Sequence, residues 1–236
     1  MTRSLLLDPA DPAAVAPDVF RRVWRTGLDE PGFALLRLAR AIDSVALRRA
    51  MMELVAAFPV AFVPERFGRF DQKVSSKFHR DGAPLASLLV LGYEPTAVRS
   101  RFWIADASAA AVAAGLPLPD YLAAHNPMFP AGEAKLAPFI TELDLPHGAA
   151  VKPGFAGDRS RGSTSEEFIL VVNNSLLPFG NGNSLGVLHK AVVTSPDSLN
   201  TSQRVINSVG FTPRTASAPG LPPAEHERFL TRDDLD

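Results

Sequence analysis

The 236-residue sequence contains no cysteine. This absence excludes disulfide bonds, thiolate metal sites and a cysteine nucleophile. An excess of charge of one sign is also missing, because 24 basic residues are balanced by 25 acidic residues and the formal net charge is −1. Proteins that bind nucleic acid or anionic membranes usually carry a basic surplus. We therefore expect no nucleic-acid partner.

Long apolar stretches are missing as well. The longest one, residues 109–118, is too short to cross a bilayer and is interrupted by Gly115 and Pro117. The first eight residues hold only a short apolar stretch, so we expect no signal peptide. These absences predict a cytoplasmic protein without a membrane partner.

The pattern of apolar residues changes near residue 60. Before it, the spacing predicts a helix over residues 17–26, a strand over 32–38 and a helix from Asp43 or Ser44 to residue 58. After it, an alanine-rich stretch, residues 105–114, predicts one more helix among short β-like runs. These runs cover residues 84–93, 98–104, 139–143, 168–172, 186–194 and 204–211. Several short strands separated by turns indicate a sandwich or a barrel-like sheet.

Two of the five histidines lie in contexts that favour metal binding. His79 and Asp81 are two residues apart, and in an extended segment such residues point to the same face. His189 lies in a second strand-like run. Two histidines and one carboxylate on one side of a metal ion are typical of non-haem Fe(II) oxygenases. The alternative is a turn in which His79 is simply hydrogen-bonded to Asp81.

Arg204 follows His189 by fifteen residues in another apolar run. A hairpin of this length could bring the two side chains into the same sheet. An arginine in an apolar strand is costly to bury without a carboxylate partner. Its planar guanidinium is suited to bidentate binding of a carboxylate.

Residues 78–82, residues 186–189 and Arg204 together resemble the His-x-Asp…His…Arg signature of the Fe(II)/2-oxoglutarate-dependent dioxygenase superfamily. The resemblance spans roughly residues 20–211. It implies a mainly β protein with additional α-helices, built on a double-stranded β-helix (a cupin-like jelly roll) with N-terminal helices packed on one sheet. It further implies a single oxygenase domain, with a helical cover over residues 10–60, a jelly-roll core over 61–211 and a peripheral tail over 212–236.

The resemblance also implies the chemistry. Fe(II) would be held by His79, Asp81 and His189, with 2-oxoglutarate as cosubstrate and its far carboxylate paired with Arg204. Reaction with O₂ would hydroxylate a C–H bond of a small molecule, such as an amino acid or a specialised metabolite, with succinate and CO₂ as co-products. Because Asp81 is present, halogenation is disfavoured.

Members of this superfamily often carry Ser or Thr two residues after the arginine, where this chain has Ile206. Ser208, Tyr93 and Asn173 are the candidates to replace that hydroxyl in binding the cosubstrate.

Four residues are candidates for substrate binding, and a loop is a candidate lid. Arg99, Arg101 and Trp103 share strand parity, so they could line the mouth of a barrel or its outer surface. Arg80 lies between His79 and Asp81, and residues 152–165 form a Gly- and Ser-rich loop that could close over a substrate.

Two other functions remain open at the level of sequence. One is a cupin-like metalloenzyme that does not use 2-oxoglutarate, which would be favoured if Arg204 paired with a structural acid such as Asp71 or Glu94. The other is a non-catalytic β-sandwich binding domain.

Overall fold

The structure is a computed structural model. It describes residues 4–81, 84–96, 98, 100–145, 167–176, 185–194, 204–214 and 222–232. Arg99 and the predicted lid, residues 152–165, lie outside the described residues.

The described residues form nine strands and six α-helices. The strands are β1 (Leu5–Leu7), β2 (Phe33–Leu38), β3 (Phe62–Asp71), β4 (Leu88–Tyr93), β5 (Ser100–Ala105), β6 (Ile140–Glu142), β7 (Phe168–Asn173), β8 (Leu188–Val193) and β9 (Val205–Pro213). The helices are α1 (Ala16–Val23), α2 (Ser44–Ala56), α3 (Ala107–Ala113), α4 (Leu118–Ala124), α5 (Pro130–Leu136) and α6 (Pro223–Thr231).

The strands form two sheets in a mixed α/β arrangement. The larger sheet has six strands in the order β1-β2-β7-β4-β9-β3, and the smaller has three in the order β6-β5-β8. Strand β1 pairs with β2 in parallel. The other pairs are antiparallel.

One apolar cluster joins the two sheets face to face. It includes Leu91 and Leu170 from the larger sheet and Phe102, Ile104 and Ala191 from the smaller. We call the face of the larger sheet that carries this cluster the inner face. The central strands β4 and β7 are buried along their whole length, since helices cover their other face. This burial explains why both read as continuous apolar runs.

A second apolar cluster covers the opposite face of the larger sheet, which we call the helix face. It joins α1, α2 and α6 to alternate residues of the strands. The carboxylate of Asp43 accepts a hydrogen bond from the Ala46 amide (2.7 Å) and caps α2, as the sequence predicts. Gly92 lets α2 pack closely on β4, because a side chain at this position would collide with Met51.

The C-terminal segment differs from its prediction. The tail over 212–236 is not peripheral throughout, since β9 extends to Pro213 and residues 223–231 form α6. Phe229 of α6 is buried and stacks on Phe67, with 4.6 Å between ring centroids. One aromatic residue on a short helix was too weak a signal to predict this docking.

The part of the chain that the structure describes has no helix long and apolar enough to cross a membrane.

Candidate metal centre

Three side chains that the sequence singled out meet at one point. His79, Asp81 and His189 each offer a ligand atom, and these atoms lie within 4.8 Å of one another. The Nε2 atom of His79 is 3.5 Å from Oδ1 of Asp81. The imidazole centroids of His79 and His189 are 4.3 Å apart. Two imidazoles and one carboxylate at this separation can hold a divalent metal ion.

Backbone pairing brings the two histidines together. The amide of His79 donates to the carbonyl of His189 (3.1 Å), and the amide of His189 donates back to the carbonyl of His79 (3.0 Å). The segment before His79 therefore runs antiparallel beside β8, at the edge of the smaller sheet. The hydroxyls of Ser76 and Ser75 accept hydrogen bonds from the β8 amides of Ala191 and Val193 and extend this pairing.

The end of β7 fixes the backbone at Asp81. The side-chain amide of Asn174 donates to the carbonyl of Asp81 (2.9 Å). Nη1 of Arg80 donates to the carbonyl of Asn174 (3.2 Å). The backbone of Asp81 is thus hydrogen-bonded to the end of β7 in the larger sheet, whereas His189 belongs to the smaller one, so the site spans both sheets. Arg80 holds this junction, and its role in substrate binding stays a prediction.

The hydrogen bonds of His79 favour a metal-binding orientation of its ring. Nδ1 lies 2.7 Å from the Lys77 carbonyl, which can only accept, so this nitrogen carries a proton. Nε2 then faces Asp81 and is the atom available to a metal. The hydrogen bond with Asp81 raises the pKa of His79 despite partial burial. Burial opposes ionisation of Asp81, but its hydrogen bond with His79 and the positive charges nearby lower its pKa overall.

His189 is buried more deeply. Burial and the neighbouring His79 lower its pKa to about 4, so the imidazole is neutral at physiological pH. Its Nδ1 atom is buried and has no hydrogen-bond partner among the described residues. A neutral imidazole held by backbone pairing is in the state that metal ligation requires.

Arg204 lies in the apolar layer between the sheets. It is 2% exposed, and its guanidinium lies 5.3 Å from the ring centroid of Tyr93 and 4.9 Å from that of Phe102. Nη1 donates to the carbonyl of Val98 (3.1 Å), whereas buried Nε has no partner among the described residues. Burial lowers the pKa of Arg204 from its usual value.

Neither acid that the sequence suggested as a partner binds this guanidinium. The carboxylate of Asp71 accepts from the backbone amide of Arg204 instead (2.8 Å). Glu94 binds the guanidinium of Arg69 and the hydroxyl of Ser44. Within the described parts of the chain, Arg204 is a buried cation without a carboxylate.

The three candidates for the missing hydroxyl lie in different places. Tyr93 packs against Arg204, and burial raises the pKa of its phenol, which therefore stays protonated. Ser208 points to the inner face, as Ile206 does, but it lies two residues further from Arg204 along β9. Asn173 is wrong as a cosubstrate ligand, because strand alternation puts its side chain on the helix face. There it donates to the Val23 carbonyl (3.0 Å).

Two of the predicted substrate residues lie on the outer face of the smaller sheet. Phe102 and Ile104 point inward, so Arg101 and Trp103 point outward. The guanidinium of Arg101 binds the carboxylate of Glu142 through contacts of 2.6 and 2.7 Å and lies over Trp103. Of the two placements considered for Arg101 and Trp103, the outer surface is therefore the one observed, and their role in substrate binding stays a prediction.

A cavity of about 550 Å³ opens beside Asp81 on the inner face. Its walls come mainly from β3 and β9, together with the ends of β4 and β7. The lining residues are Glu65, Arg66, Phe67, Gly68, Phe70, Asp81, Pro84, Ser87, Leu89, Asn174, Ser208, Gly210, Phe211 and Thr212.

Strand β3 was missed at the level of sequence, and Glu65 and Arg66 with it. Charged residues and Gly68 interrupt its apolar residues and several of them line an open cavity, so the apolar alternation that marks a strand is weak. Val63, Phe67 and Phe70 recur at intervals of four and three residues, which is typical of a helix, so the apolar spacing gave no signal for this strand.

Comparison with known proteins gives no relationship: no protein-family model matches the chain, and no curated protein matches it.

Proposed function

We propose that this chain is an Fe(II)- and 2-oxoglutarate-dependent oxygenase with a jelly-roll core, which hydroxylates a C–H bond of a small molecule. The proposal depends on the observation that two features occur together between the sheets. One is the His79, Asp81 and His189 group, and the other is the buried guanidinium of Arg204, which lacks a carboxylate among the described residues.

Strand connectivity supports the jelly roll. Strand β3 pairs with β9, the segment before His79 pairs with β8, β4 pairs with β7, and β5 pairs with β6. In chain order, the first strand of this core therefore pairs with the last, the second with the last but one, and so on inward. A long antiparallel ribbon that rolls up into two facing sheets produces this nested pairing.

The donor set fits Fe(II). His79 offers Nε2, His189 is neutral because it is buried, and Asp81 is ionised because its pKa is lowered. Two imidazoles and one carboxylate satisfy one side of the ion and leave the opposite positions for other ligands. The rigid backbone pairing of His79 with His189 keeps both rings in place before the metal binds.

Arg204 supports a dicarboxylate cosubstrate. A guanidinium is well suited to bidentate binding of a carboxylate, and in a dry apolar layer that interaction is strong. Tyr93 and Phe102 flank the guanidinium and hold it in one orientation. Arg204 would bind the far carboxylate of 2-oxoglutarate, and Tyr93 is the candidate hydroxyl residue whose ring packs against this guanidinium.

The bound metal and 2-oxoglutarate would supply the oxidising chemistry, in which one oxygen atom of O₂ enters the substrate and the other enters succinate as CO₂ is released. The residues of the chain position the reactants and exclude water. Leu89 and Ser208 line the cavity that ends at Asp81, so a substrate bound there presents its C–H bond to the metal group.

The cupin-like alternative without 2-oxoglutarate depended on an acid paired with Arg204. Because Asp71 and Glu94 bind other groups, no acid in the described part of the chain favours that alternative.

The test is an anaerobic titration of the chain with Fe(II) and then with 2-oxoglutarate. We expect a weak visible charge-transfer band that needs both additions. His189→Ala should abolish the band, and Arg204→Met should weaken 2-oxoglutarate binding about 100-fold while Fe(II) binding persists. Metal binding that is indifferent to 2-oxoglutarate would favour a cupin-like metalloenzyme, and an absence of metal binding would favour a binding domain.

A further inference from the structure

We infer that the cavity beside Asp81 binds a free amino acid, or a close relative with one carboxylate and one amine, through Arg66 and Glu65. This inference rests on the proposed function and extends it by naming the substrate class. It comes from the distribution of charge on the cavity wall.

Arg66 and Glu65 carry opposite charges on the same wall without pairing with each other. Arg66 is the one cation among the described residues of the lining, and its positive charge acts on the carboxylate of Asp81, which lines the same cavity. No hydrogen bond or salt bridge of its side chain is formed within the described part of the chain. Glu65 accepts a hydrogen bond from the hydroxyl of Thr212 (2.8 Å), which fixes its carboxylate. Adjacent opposite charges that are held apart can bind the two ends of a zwitterion.

A β-bulge explains why two neighbouring residues share this wall. The pairing of β3 with β9 shifts between Pro64 and Arg66, so Glu65 is an extra residue on its strand. In a regular strand Glu65 and Arg66 would point to opposite faces. A bulge re-aims side chains, and bulges are over-represented beside active sites.

Asn174 adds an acceptor near Asp81. Its Oδ1 atom is buried and has no donor among the described residues, although its side-chain nitrogen binds the Asp81 carbonyl. A buried acceptor without a donor carries a free-energy cost that a bound amine would remove. Asn174 and Glu65 therefore form the amine side of the site, and Arg66 the carboxylate side.

The size and lining of the cavity suit a small ligand with an apolar body. About 550 Å³ lies within the range of small-molecule pockets, and Leu89 and Phe70 provide apolar surface. The cavity is also separate from the site for the cosubstrate. Ser208 and Thr212 lie four and eight residues beyond Arg204, or roughly 13 and 26 Å along β9. Substrate and cosubstrate would therefore not compete for the same cation.

The first experiment measures the thermal unfolding midpoint of the full chain with each standard L-amino acid, in the presence and in the absence of Fe(II) and 2-oxoglutarate under anaerobic conditions. We expect one amino acid or a few to raise the midpoint. The methyl ester of the best binder, which lacks the carboxylate charge, and its N-acetyl form, which lacks the amine charge, should each bind about tenfold more weakly or worse.

The second experiment assigns the two charges by calorimetry. Arg66→Gln should weaken binding of the amino acid about tenfold or more but should bind the methyl ester as wild type does. Glu65→Gln should likewise weaken binding of the amino acid about tenfold or more but should bind the N-acetyl form as wild type does. Arg49→Gln and Glu53→Gln change equivalent charges on the exposed surface of α2 and should leave binding unchanged. An equal loss for both ligand forms would contradict the assignment, because it would indicate a structural effect.

The outcomes separate the two proposals. If Fe(II) and 2-oxoglutarate bind but no amino acid shifts the midpoint, the inference fails and the proposed function stands. If amino acids bind with the expected dependence on charge but Fe(II) or 2-oxoglutarate does not bind, the oxygenase proposal fails and the cavity assignment stands.

Discussion

Arg25 and Arg204 are buried to nearly the same degree, with 1% and 2% of their surface exposed. Arg25 lies where α1 meets the start of α3, and its guanidinium forms two 2.7 Å contacts with the carboxylate of Asp106. It also donates to the Glu30 carbonyl (2.7 Å). Arg204 lies between the sheets and has one carbonyl partner, Val98.

The difference separates an arginine that is paired within the described structure from one that the proposed function assigns to ligand binding. A buried charge is costly unless it is paired, and the pair around Arg25 compensates that cost within the chain. Among the described residues no carboxylate compensates the charge of Arg204, which contacts the Val98 carbonyl and the rings of Tyr93 and Phe102. The same contrast exists between His79, which has two side-chain contacts, and His189, whose Nδ1 has no partner in the described residues.

The largest effect is expected at Arg25. Arg25→Met leaves the partly buried carboxylate of Asp106 without its partner and should lower the free energy of unfolding by about 3 kcal/mol. Denaturant titration measures it. A loss below about 1 kcal/mol would mean that this arginine is not the structural member of the comparison.

Acid should destabilise the metal-free chain through His189. Its folded pKa of about 4 is below the ordinary value of 6.5, so its contribution is present above pH 6.5 and is lost as the pH falls towards 4. From about pH 6 to about pH 4.5 this amounts to about 2 kcal/mol of the free energy of unfolding.

His189→Gln removes this contribution and should give a smaller slope when unfolding is measured at each pH. His79 acts in the opposite sense, because its raised pKa adds stability that is present below pH 6.5 and lost as the pH rises. An identical slope in wild type and His189→Gln would show that His189 is not the group responsible.

A smaller effect is expected at Arg204. Arg204→Met removes a buried cation and leaves no carboxylate behind, so the free energy of unfolding should change by less than about 1 kcal/mol, in either direction. With Fe(II) already present in both samples, addition of 2-oxoglutarate should stabilise wild type further but should have little effect on this variant. A loss as large as that of Arg25→Met would remove the distinction between the two arginines.

The smallest effect is expected at an exposed ion pair. Glu142→Gln breaks the contact with Arg101 on the outer surface of the smaller sheet, where both side chains are about half exposed. Water and salt screen such a pair, so the denaturation midpoint should not change measurably. A clear shift would show that contact geometry rather than burial determines how much these ion pairs contribute to the free energy of unfolding.

Local patterns predicted most of the elements. The strand over 32–38, the helix capped by Asp43 and the six later strands were confirmed at nearly the predicted bounds. Such elements depend on the spacing of apolar residues and on caps within a few residues. Strand β3 and helix α6 were missed because their sequences show neither a continuous apolar run nor a clear period.

The candidate site was only partly predictable. His79, Asp81 and His189 were found because two residues share one face of an extended segment and the third lies in a strand. The surroundings were not found, because they depend on strand register. Asn173 and Asn174 are neighbours in the chain, yet alternation puts one under α1 and the other beside Asp81.

The sequence by itself determined where most of the strands and helices lie, and which three side chains are of the types that bind a metal. Tertiary structure alone decided that Arg204 has no acid among the described residues, and that Glu65 and Arg66 share a cavity wall. The physical reason is the distance along the chain over which each kind of interaction acts. Periodicity and capping act over a few residues, whereas the partner of a buried charge depends on contacts between strands far apart in the chain.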